Sequence, residues 1–162
     1  MAIDQRAFSE TQLVAPAPLP FVSRRALKRV ADPAPIPTVC KCGGCVELVE
    51  NSEIYNGRSY GDWPYAYLCR DCDSYVGTHP STDIPLGTLA DKATRDARNA
   101  CKKVFEPIWR NKVMSRSKAY QWLAKRLDID VSACHFGLFT AEECYRAAAI
   151  CKDLANFSGG RP

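Results

Sequence analysis

Between residues 40 and 87, apolar and polar positions alternate over short stretches, which is typical of β-strands with one buried face. One such stretch runs from Val46 to Val49, and two others lead into and out of the cysteine pair at positions 69 and 72. Asn56-Gly57 can supply the two positive φ values that a type I′ hairpin turn requires. The pattern predicts short antiparallel strands joined by turns.

From residue 88 onward, apolar residues recur every three or four positions, as on a helix with one buried face. We predict a first helix that is capped by Thr88 and that ends or kinks near Pro107, because proline lacks the N–H of the helical hydrogen bond. Ser115 can cap a second helix. Thr140 and Glu143 match a capping box, so a third helix is expected from there to about residue 154.

Residues 1–39 have a different pattern, because six of the eleven prolines lie there in two clusters. Proline fixes φ and supplies no backbone donor, so we expect a disordered or extended tail. Between the clusters, residues 21–30 place apolar residues at helical spacing with Arg24, Arg25, Lys28 and Arg29 on the other side. This segment is either a solvated linker or a short basic helix that folds on a nucleic acid or a protein partner.

The chain contains nine cysteines, and this odd number argues against a closed set of disulfides. Cys42 and Cys45 form one C-x-x-C pair, Cys69 and Cys72 form a second, and twenty-three residues separate the pairs. Four thiolates in two such pairs suit one tetrahedral Zn²⁺ ion, and a site with four protein ligands stabilises a fold instead of activating water. An iron–sulfur cluster or metal-free thiols are the alternatives, and Cys40 is expected to be a spare thiol beside the site.

The predicted fold is therefore α+β: a four-cysteine zinc ribbon packed against a three-helix segment. The domains are expected to be a basic, Pro-rich tail at 1–39, the ribbon at 40–87, the helical segment at 88–155 and a tail at 156–162. No apolar run is long enough to span a bilayer, and the N-terminus lacks the layout of a signal peptide, so we expect a cytoplasmic protein.

The net charge of +4 is unevenly distributed along the chain. Residues 40–90 carry three basic and seven acidic groups, whereas residues 91–162 carry fourteen basic and eight acidic groups. The basic residues of the helical segment can follow a phosphate backbone, with Trp109 and Tyr120 as stacking surfaces, or they can be the solvated face of amphipathic helices. The candidate nucleic-acid contacts are Arg95, Arg98, Lys102, Arg110, Lys112 and Arg116.

The remaining candidates for chemistry are two histidines and four further cysteines. His79 follows the second cysteine pair, and His135 lies beside Cys134. A second metal site built from Cys134, His135 and the helical cysteines 101, 144 and 151 is one reading, but the spacing of these cysteines favours buried apolar positions. The sequence contains no phosphate-binding loop, nucleophile elbow or paired-carboxylate motif, so no enzyme class is assigned.

Several motifs in order resemble a zinc-finger-containing family of unknown function from bacteria and their phages. The resemblance covers about residues 40–152 and implies a zinc-binding module fused to a helical segment in a protein of phage or prophage origin. At one position of the first helix the family usually has a histidine, where this chain has Cys101-Lys102. The motifs include Cys42-x-x-Cys45, Cys69-x-x-Cys72-Asp73-Ser74-Tyr75-Val76-Gly77-Thr78-His79, Pro85-Leu86-Gly87-Thr88, Phe105-x-Pro107-x-Trp109, Met114-Ser115-Arg116-Ser117-x-Ala119-Tyr120 and Cys134-His135-Phe136-Gly137.

Three functions follow as hypotheses. The first is a non-enzymatic zinc protein that binds nucleic acid through its basic helical face. The second is a protein-interaction module that docks on a host or phage protein, such as the transcription machinery, through the aromatic residues near the predicted hairpin: Tyr55, Tyr60, Trp63 and Tyr65. The third is a nuclease that uses His79 or His135.

Overall fold

The computed structural model describes residues 2–158, with side chains described up to residue 154, and the chain divides into two units between Asp91 and Lys92. The first unit contains a three-stranded antiparallel sheet, and the second contains three long helices, which confirms the predicted α+β class. The tail predicted at 156–162 lies largely outside the described part. The side chains of these residues are not described, and neither is the backbone from residue 159 onward.

The sheet consists of β1 (Val46–Glu50), β2 (Tyr65–Cys69) and β3 (Tyr75–Gly77), in that order and antiparallel throughout. The register of β1 and β2 pairs Val46 with Cys69, which brings the start of one strand beside the end of the next. Short β-branched and aromatic stretches form these strands, as the alternation predicts. β1 and β3 begin, and β2 ends, at or near a cysteine-containing turn, so the sheet positions the thiols.

The connection between β1 and β2 is longer than the predicted hairpin. Asn56 and Gly57 have the expected positive φ values of 53° and 84°, but no strand flanks them directly. Asn51 closes the loop instead, because its side-chain amide donates to Tyr60 O (2.8 Å) and its amide oxygen accepts from the Tyr60 N–H (3.2 Å). A side-chain bond of this kind replaces the strand pairing that a two-residue turn would require.

The N-terminal segment is irregular, as its prolines predict, but it belongs to the same unit as the sheet and is not a separate tail. It contains a 3-10 turn at Gln5–Phe8 and the short helix α1 (Arg24–Leu27), which lies within the predicted basic helix. Ala7, Leu27 and Val30 are buried and form a small cluster with Ile84. These contacts join residues that are far apart in sequence, so the periodicity of the segment did not indicate them.

An ion pair supports the same cluster. The guanidinium of Arg6 contacts both carboxylate oxygens of Asp83, at 2.7 and 2.8 Å, and it also pairs with Asp4 at 2.6 Å. Asp83 is only 2% exposed, and a buried carboxylate is tolerated when a cation meets it in this bidentate geometry.

The helices of the second unit are α2 (Lys92–Arg110), α3 (Arg116–Leu127) and α4 (Ala141–Ser158). The predicted caps of α3 and α4 are present: Ser115 Oγ accepts from the Lys118 N–H, and Thr140 and Glu143 form the reciprocal capping box. Their inner faces form one apolar core. Its buried residues are Ala97, Cys101, Phe105, Ile108, Ala119, Leu123, Ala124, Leu127, Cys134, Phe136, Phe139, Cys144, Ala147 and Cys151.

The first helix begins later than predicted, and it does not end at Pro107. The helix begins at Lys92 and not after Thr88, because Ala90 exchanges two backbone hydrogen bonds with Tyr75, each 3.1 Å long, and so extends the sheet. The helix also continues through Pro107 to Arg110. A proline one turn from a helix end removes a single hydrogen bond, and the buried Ile108 that follows it keeps the last turn packed.

We predict that trimming a buried valine of the N-terminal segment destabilises the first unit. Val30 is 8% exposed and Val14 is 88% exposed, so Val30→Ala and Val14→Ala form a matched pair. Losing the burial of two carbon atoms costs roughly 1.5 kcal/mol, which should speed the exchange of the Leu27 and Val30 amide hydrogens about tenfold in Val30→Ala. Equal exchange rates in the two variants would show that the segment does not pack as described.

Candidate metal centre

Four thiols lie together beside the sheet. The Sγ atoms of Cys40, Cys42, Cys69 and Cys72 are all within 4.8 Å of one another. The distance from Cys40 Sγ to Cys72 Sγ is 3.6 Å, and that from Cys42 Sγ to Cys69 Sγ is 3.5 Å. A tetrahedron of sulfurs around zinc, with bonds of about 2.3 Å, has edges of about 3.8 Å. The group therefore has the dimensions that one zinc ion requires.

This set differs at one position from the predicted one. Cys42, Cys69 and Cys72 come together as expected, but Cys40 is the fourth member and Cys45 is not. Cys45 is exposed and lies just before β1, where it pairs with Val39 in an isolated bridge. The structure therefore places Cys40, the predicted spare thiol, in the cluster, and it places Cys45, a predicted ligand, outside it.

Backbone hydrogen bonds explain why Cys40 takes this place. Two turns carry the thiols, and a backbone hydrogen bond to the carbonyl of the first cysteine closes each turn. The Gly43 N–H donates to Cys40 O (2.9 Å), just as the Asp73 N–H donates to Cys69 O (3.0 Å). Both Gly43 (φ 90°) and Asp73 (φ 56°) are left-handed. In each turn, two clustered cysteines are followed directly by a residue with left-handed backbone. The first turn is one residue shorter, because one residue separates Cys40 from Cys42 and two separate Cys69 from Cys72.

The signal that could have revealed this register is the glycine that directly follows Cys42. Left-handed backbone favours glycine, and a knuckle that ends at Cys42 places Gly43 at that position. The spacing of Cys42 and Cys45 matches the C-x-x-C motif in sequence but not the geometry of the second turn. If these two cysteines were the pair, the left-handed Gly43 would lie between them instead of after them.

Gly44 is required because of space and not because of its own φ value. A Cβ atom at this position would lie 2.5 Å from Asp71 Oδ2 and 2.9 Å from Cys69 Sγ. Its N–H also donates to Cys42 Sγ at 3.4 Å, which is the type of bond that stabilises a thiolate ligand. Gly44 therefore lets the two turns approach closely enough to share an ion.

The surroundings of Cys72 favour its thiolate form. Its Sγ atom lies 3.3 Å from the hydroxyl of Ser74, a buried residue. Hydrogen bonds from the Ser74 hydroxyl and backbone lower the pKa of Cys72 to about 6. Zinc binds the thiolate form of cysteine, so these hydrogen bonds favour Cys72 as a ligand. With four protein ligands the ion is structural, because no coordination position remains for water or substrate.

The predicted nucleic-acid contacts divide into two groups. Arg95 and Arg98 are half-buried on α2, and Arg98 Nε donates to Phe139 O (2.8 Å), so this side chain holds the loop before α4. Lys102, Arg110, Lys112 and Arg116 are exposed. Of these four, Arg110 pairs with Glu106 at 2.8 Å, while Lys102 and Arg116 line the same small cavity.

Sequence reasoning did not include His135 among the residues of that cavity. The cavity has a volume of about 140 Å³, and His135 lines it together with Lys102, Trp109, Arg116 and Tyr120. The motif Cys134-His135-Phe136-Gly137 was the available signal. Nothing in the sequence indicated that the loop between α3 and α4 brings this histidine to α2.

The other candidates have structural surroundings. His79 lies in a turn, where its N–H donates to Ile84 O (2.8 Å). Cys101, Cys134 and Cys151 are buried in the helical core with Cys144, and burial raises the pKa values of these three thiols to about 12, 11 and 12. These thiols are neutral at physiological pH and pack as small apolar groups.

Comparison with known proteins agrees with the metal centre. A family model described as a zinc-finger-containing domain matches residues 36–154, which include all four clustered cysteines and most of the helical unit. No curated protein and no solved structure matches the chain. Within the part of the chain that the structure describes, no helix is long and apolar enough to cross a membrane.

The exchanged roles of two cysteines give a direct prediction. Cys40→Ser should weaken zinc binding by more than a hundredfold, since one of four ligands accounts for roughly 3 kcal/mol of the binding free energy. Cys45→Ser should retain one zinc ion per chain with unchanged affinity. Competition with a chromophoric chelator measures both variants, and zinc loss in Cys45→Ser with retention in Cys40→Ser would restore the ligand set predicted from the sequence.

Zinc removal should affect the two units differently. With excess chelator, the amide hydrogens of β1 to β3 should lose their protection from exchange, because the sheet buries few apolar side chains. The helices should keep their far-ultraviolet circular dichroism, because the core between residues 97 and 151 contains none of the four clustered cysteines. A sheet that stays protected without metal would contradict a structural role for the ion.

Proposed function

The chain belongs to the family of zinc-finger-containing domains, and from that premise we propose that it is a non-enzymatic zinc protein that binds nucleic acid through its helical unit. In this proposal zinc holds the first unit together and takes no part in chemistry. From the resemblance to bacterial and phage sequences, we also propose that the protein is encoded by a phage or prophage and acts in the cytoplasm of a bacterial host.

The observation that carries the proposal is a set of cations on aromatic rings. The guanidinium of Arg116 lies 5.4 Å from the ring centre of Trp109 and 5.8 Å from that of Tyr120, and the guanidinium of Arg110 lies 5.4 Å from Trp109. Stacked guanidinium groups are held in place and lose little side-chain freedom when they bind an anion. Cations interleaved with aromatic rings are typical of surfaces that bind single-stranded nucleic acid.

Three cations of this surface form no salt bridge with a carboxylate of the described residues. They are Lys102, Lys112 and Arg116, whereas Arg110 pairs with Glu106. We name Lys102, Arg110, Lys112 and Arg116 the basic face. Unpaired positive charges beside aromatic rings gain most from a polyanion, because binding it releases counterions.

Arg95 and Arg98 take a different part in the proposal. Their side chains are half-buried, and that of Arg98 is hydrogen-bonded to Phe139 O, so they add positive potential and do not contact phosphate. The zinc ribbon is not proposed as the binding surface, because residues 40–90 carry seven acidic and three basic groups.

A second candidate function is docking on a protein, and one observation favours it. Tyr55 packs edge-to-face against Tyr60 and Tyr75, with ring centres 5.1 and 6.1 Å apart, and Tyr55 and Tyr60 are 37% and 53% exposed. Exposed tyrosines are enriched in protein interfaces. The partner in this case is a host or phage protein, such as a component of the transcription machinery.

Charge reversal on the basic face tests the leading proposal. The double variant Lys102→Glu/Arg116→Glu should weaken oligonucleotide binding by on the order of tenfold or more and should reduce the slope of log affinity against log salt by roughly 1.5. The matched control is Lys103→Glu/Lys118→Glu, which changes the net charge by the same amount on the same two helices. It should weaken binding much less, because neither lysine belongs to the basic face. Fluorescence anisotropy over a series of salt concentrations measures both.

Equal losses in the two double variants would show that net charge, and not the basic face, governs binding. If the wild-type chain binds no oligonucleotide but captures a host protein from nuclease-treated lysate, and Tyr60→Ala abolishes that capture, the docking function replaces the leading proposal.

A further inference from the structure

The cavity beside His135 is enclosed by three elements of the helical unit. Helix α2, helix α3 and the loop between α3 and α4 contribute its walls, and its volume is about 140 Å³. The residues that line it are Lys102, Phe105, Glu106, Trp109, Arg116, Tyr120, His135 and Phe136. Aromatic rings form part of the wall, and polar atoms form the larger share of its exposed surface, so the cavity suits a small polar ligand.

Two of the charged groups are cations, namely Lys102 and Arg116. Arg116 is held between the rings of Trp109 and Tyr120. Glu106 also lines the cavity, but its carboxylate pairs with Arg110 at 2.8 Å. The charge presented to a ligand is therefore positive.

A further polar group of the cavity is the imidazole of His135. Its Nδ1 accepts the N–H of Gly137 at 3.2 Å, so in the neutral ring the proton lies on Nε2, which is then a hydrogen-bond donor. Burial, and then the positive charges of Lys102, Arg116 and Arg98, lower the pKa of His135 from 6.5. The neutral ring can donate to an anion, while the nearby cations remain uncompensated until an anion binds.

The volume limits what can enter. Pockets for drug-sized ligands measure about 300–1,000 Å³, so this cavity does not admit a nucleotide. A phosphodiester within a strand has a sugar on both sides, whereas a phosphate monoester has one free end with two negative charges. The two cations match that charge.

We propose that this cavity binds a phosphate monoester, supplied by the phosphorylated end of a nucleic-acid strand. Lys102 and Arg116 neutralise the two charges, and His135 donates a hydrogen bond to a phosphate oxygen. The inference that a nucleic-acid strand end supplies the phosphate monoester rests on the proposed function. The inference that the cavity prefers a phosphate monoester rests only on its size and charge.

The test compares one short single-stranded oligonucleotide in three forms: phosphorylated at its 5′ end, phosphorylated at its 3′ end, and with hydroxyl groups at both ends. One phosphorylated form should bind the full zinc-loaded chain about tenfold more tightly than the hydroxyl form, as expected for charge-assisted hydrogen bonds to a terminal group. Lys102→Met should abolish that preference. The matched control Lys103→Met removes an adjacent exposed cation that does not line the cavity, and should leave the preference intact.

A second arm uses inorganic phosphate alone and follows the imidazole signals of His135 by NMR. Phosphate should shift these signals and raise the pKa of His135, and Lys102→Met should remove the effect. If phosphate acts in this way but the three oligonucleotides bind equally, the phosphate site stands, and its source is a free phosphate compound and not a strand end.

The proposal is overturned if neither inorganic phosphate nor a phosphorylated end changes the His135 signals, or if Lys103→Met has the same effect as Lys102→Met. This failure is distinguishable from failure of the proposed function. If all three oligonucleotides bind equally and binding still depends on the basic face, the chain binds nucleic acid but does not recognise a phosphorylated strand end. If no oligonucleotide binds, the proposed function fails, and the phosphate titration alone decides the site.

Discussion

The structure of the first unit depends on the attraction between one zinc ion and four thiolates. The sheet has three short strands, and its buried apolar side chains are few: Val49, Ala66, Tyr67, Leu68 and Val76. A segment of about forty residues cannot bury enough apolar surface to offset the conformational entropy that it loses on folding. The ion joins the turn before β1 to the turn between β2 and β3, and so supplies the missing free energy at the point where the strands begin and end.

The N-terminal segment adds a second, independent source of stability. Its buried Leu27 and Val30 pack with Ile84, and Arg6 neutralises Asp83, a carboxylate that is almost completely buried. Removing only one partner of such an ion pair would leave a buried charge without compensation, which costs several kcal/mol. The unit is therefore stabilised by a metal at one place and by a small core with an ion pair at another.

The sequence predicted those features of the fold that depend on interactions between residues close together in the chain. The caps at Ser115 and Thr140 were found because each involves residues three positions apart. The helix start after Thr88 was missed because Ala90 pairs with Tyr75, fifteen residues earlier. The ligand register was missed for a similar reason. Spacing alone makes Cys42 and Cys45 a pair, whereas the backbone bond from Gly43 to Cys40 sets the turn, and that bond is visible only in the fold.

The charges around His135 also bear on the choice between binding and cleavage of a phosphate ester. Lys102 and Arg116 are the cations of the proposed phosphate site. Cations that stabilise the ground state and the transition state equally tighten binding without accelerating a reaction. The one carboxylate that lines the cavity, Glu106, is paired with Arg110 and so is poorly placed to serve as a general base. The proposal of a binding protein instead of a nuclease therefore rests on two observations: two cations and a donor line the cavity, and its one carboxylate is already paired.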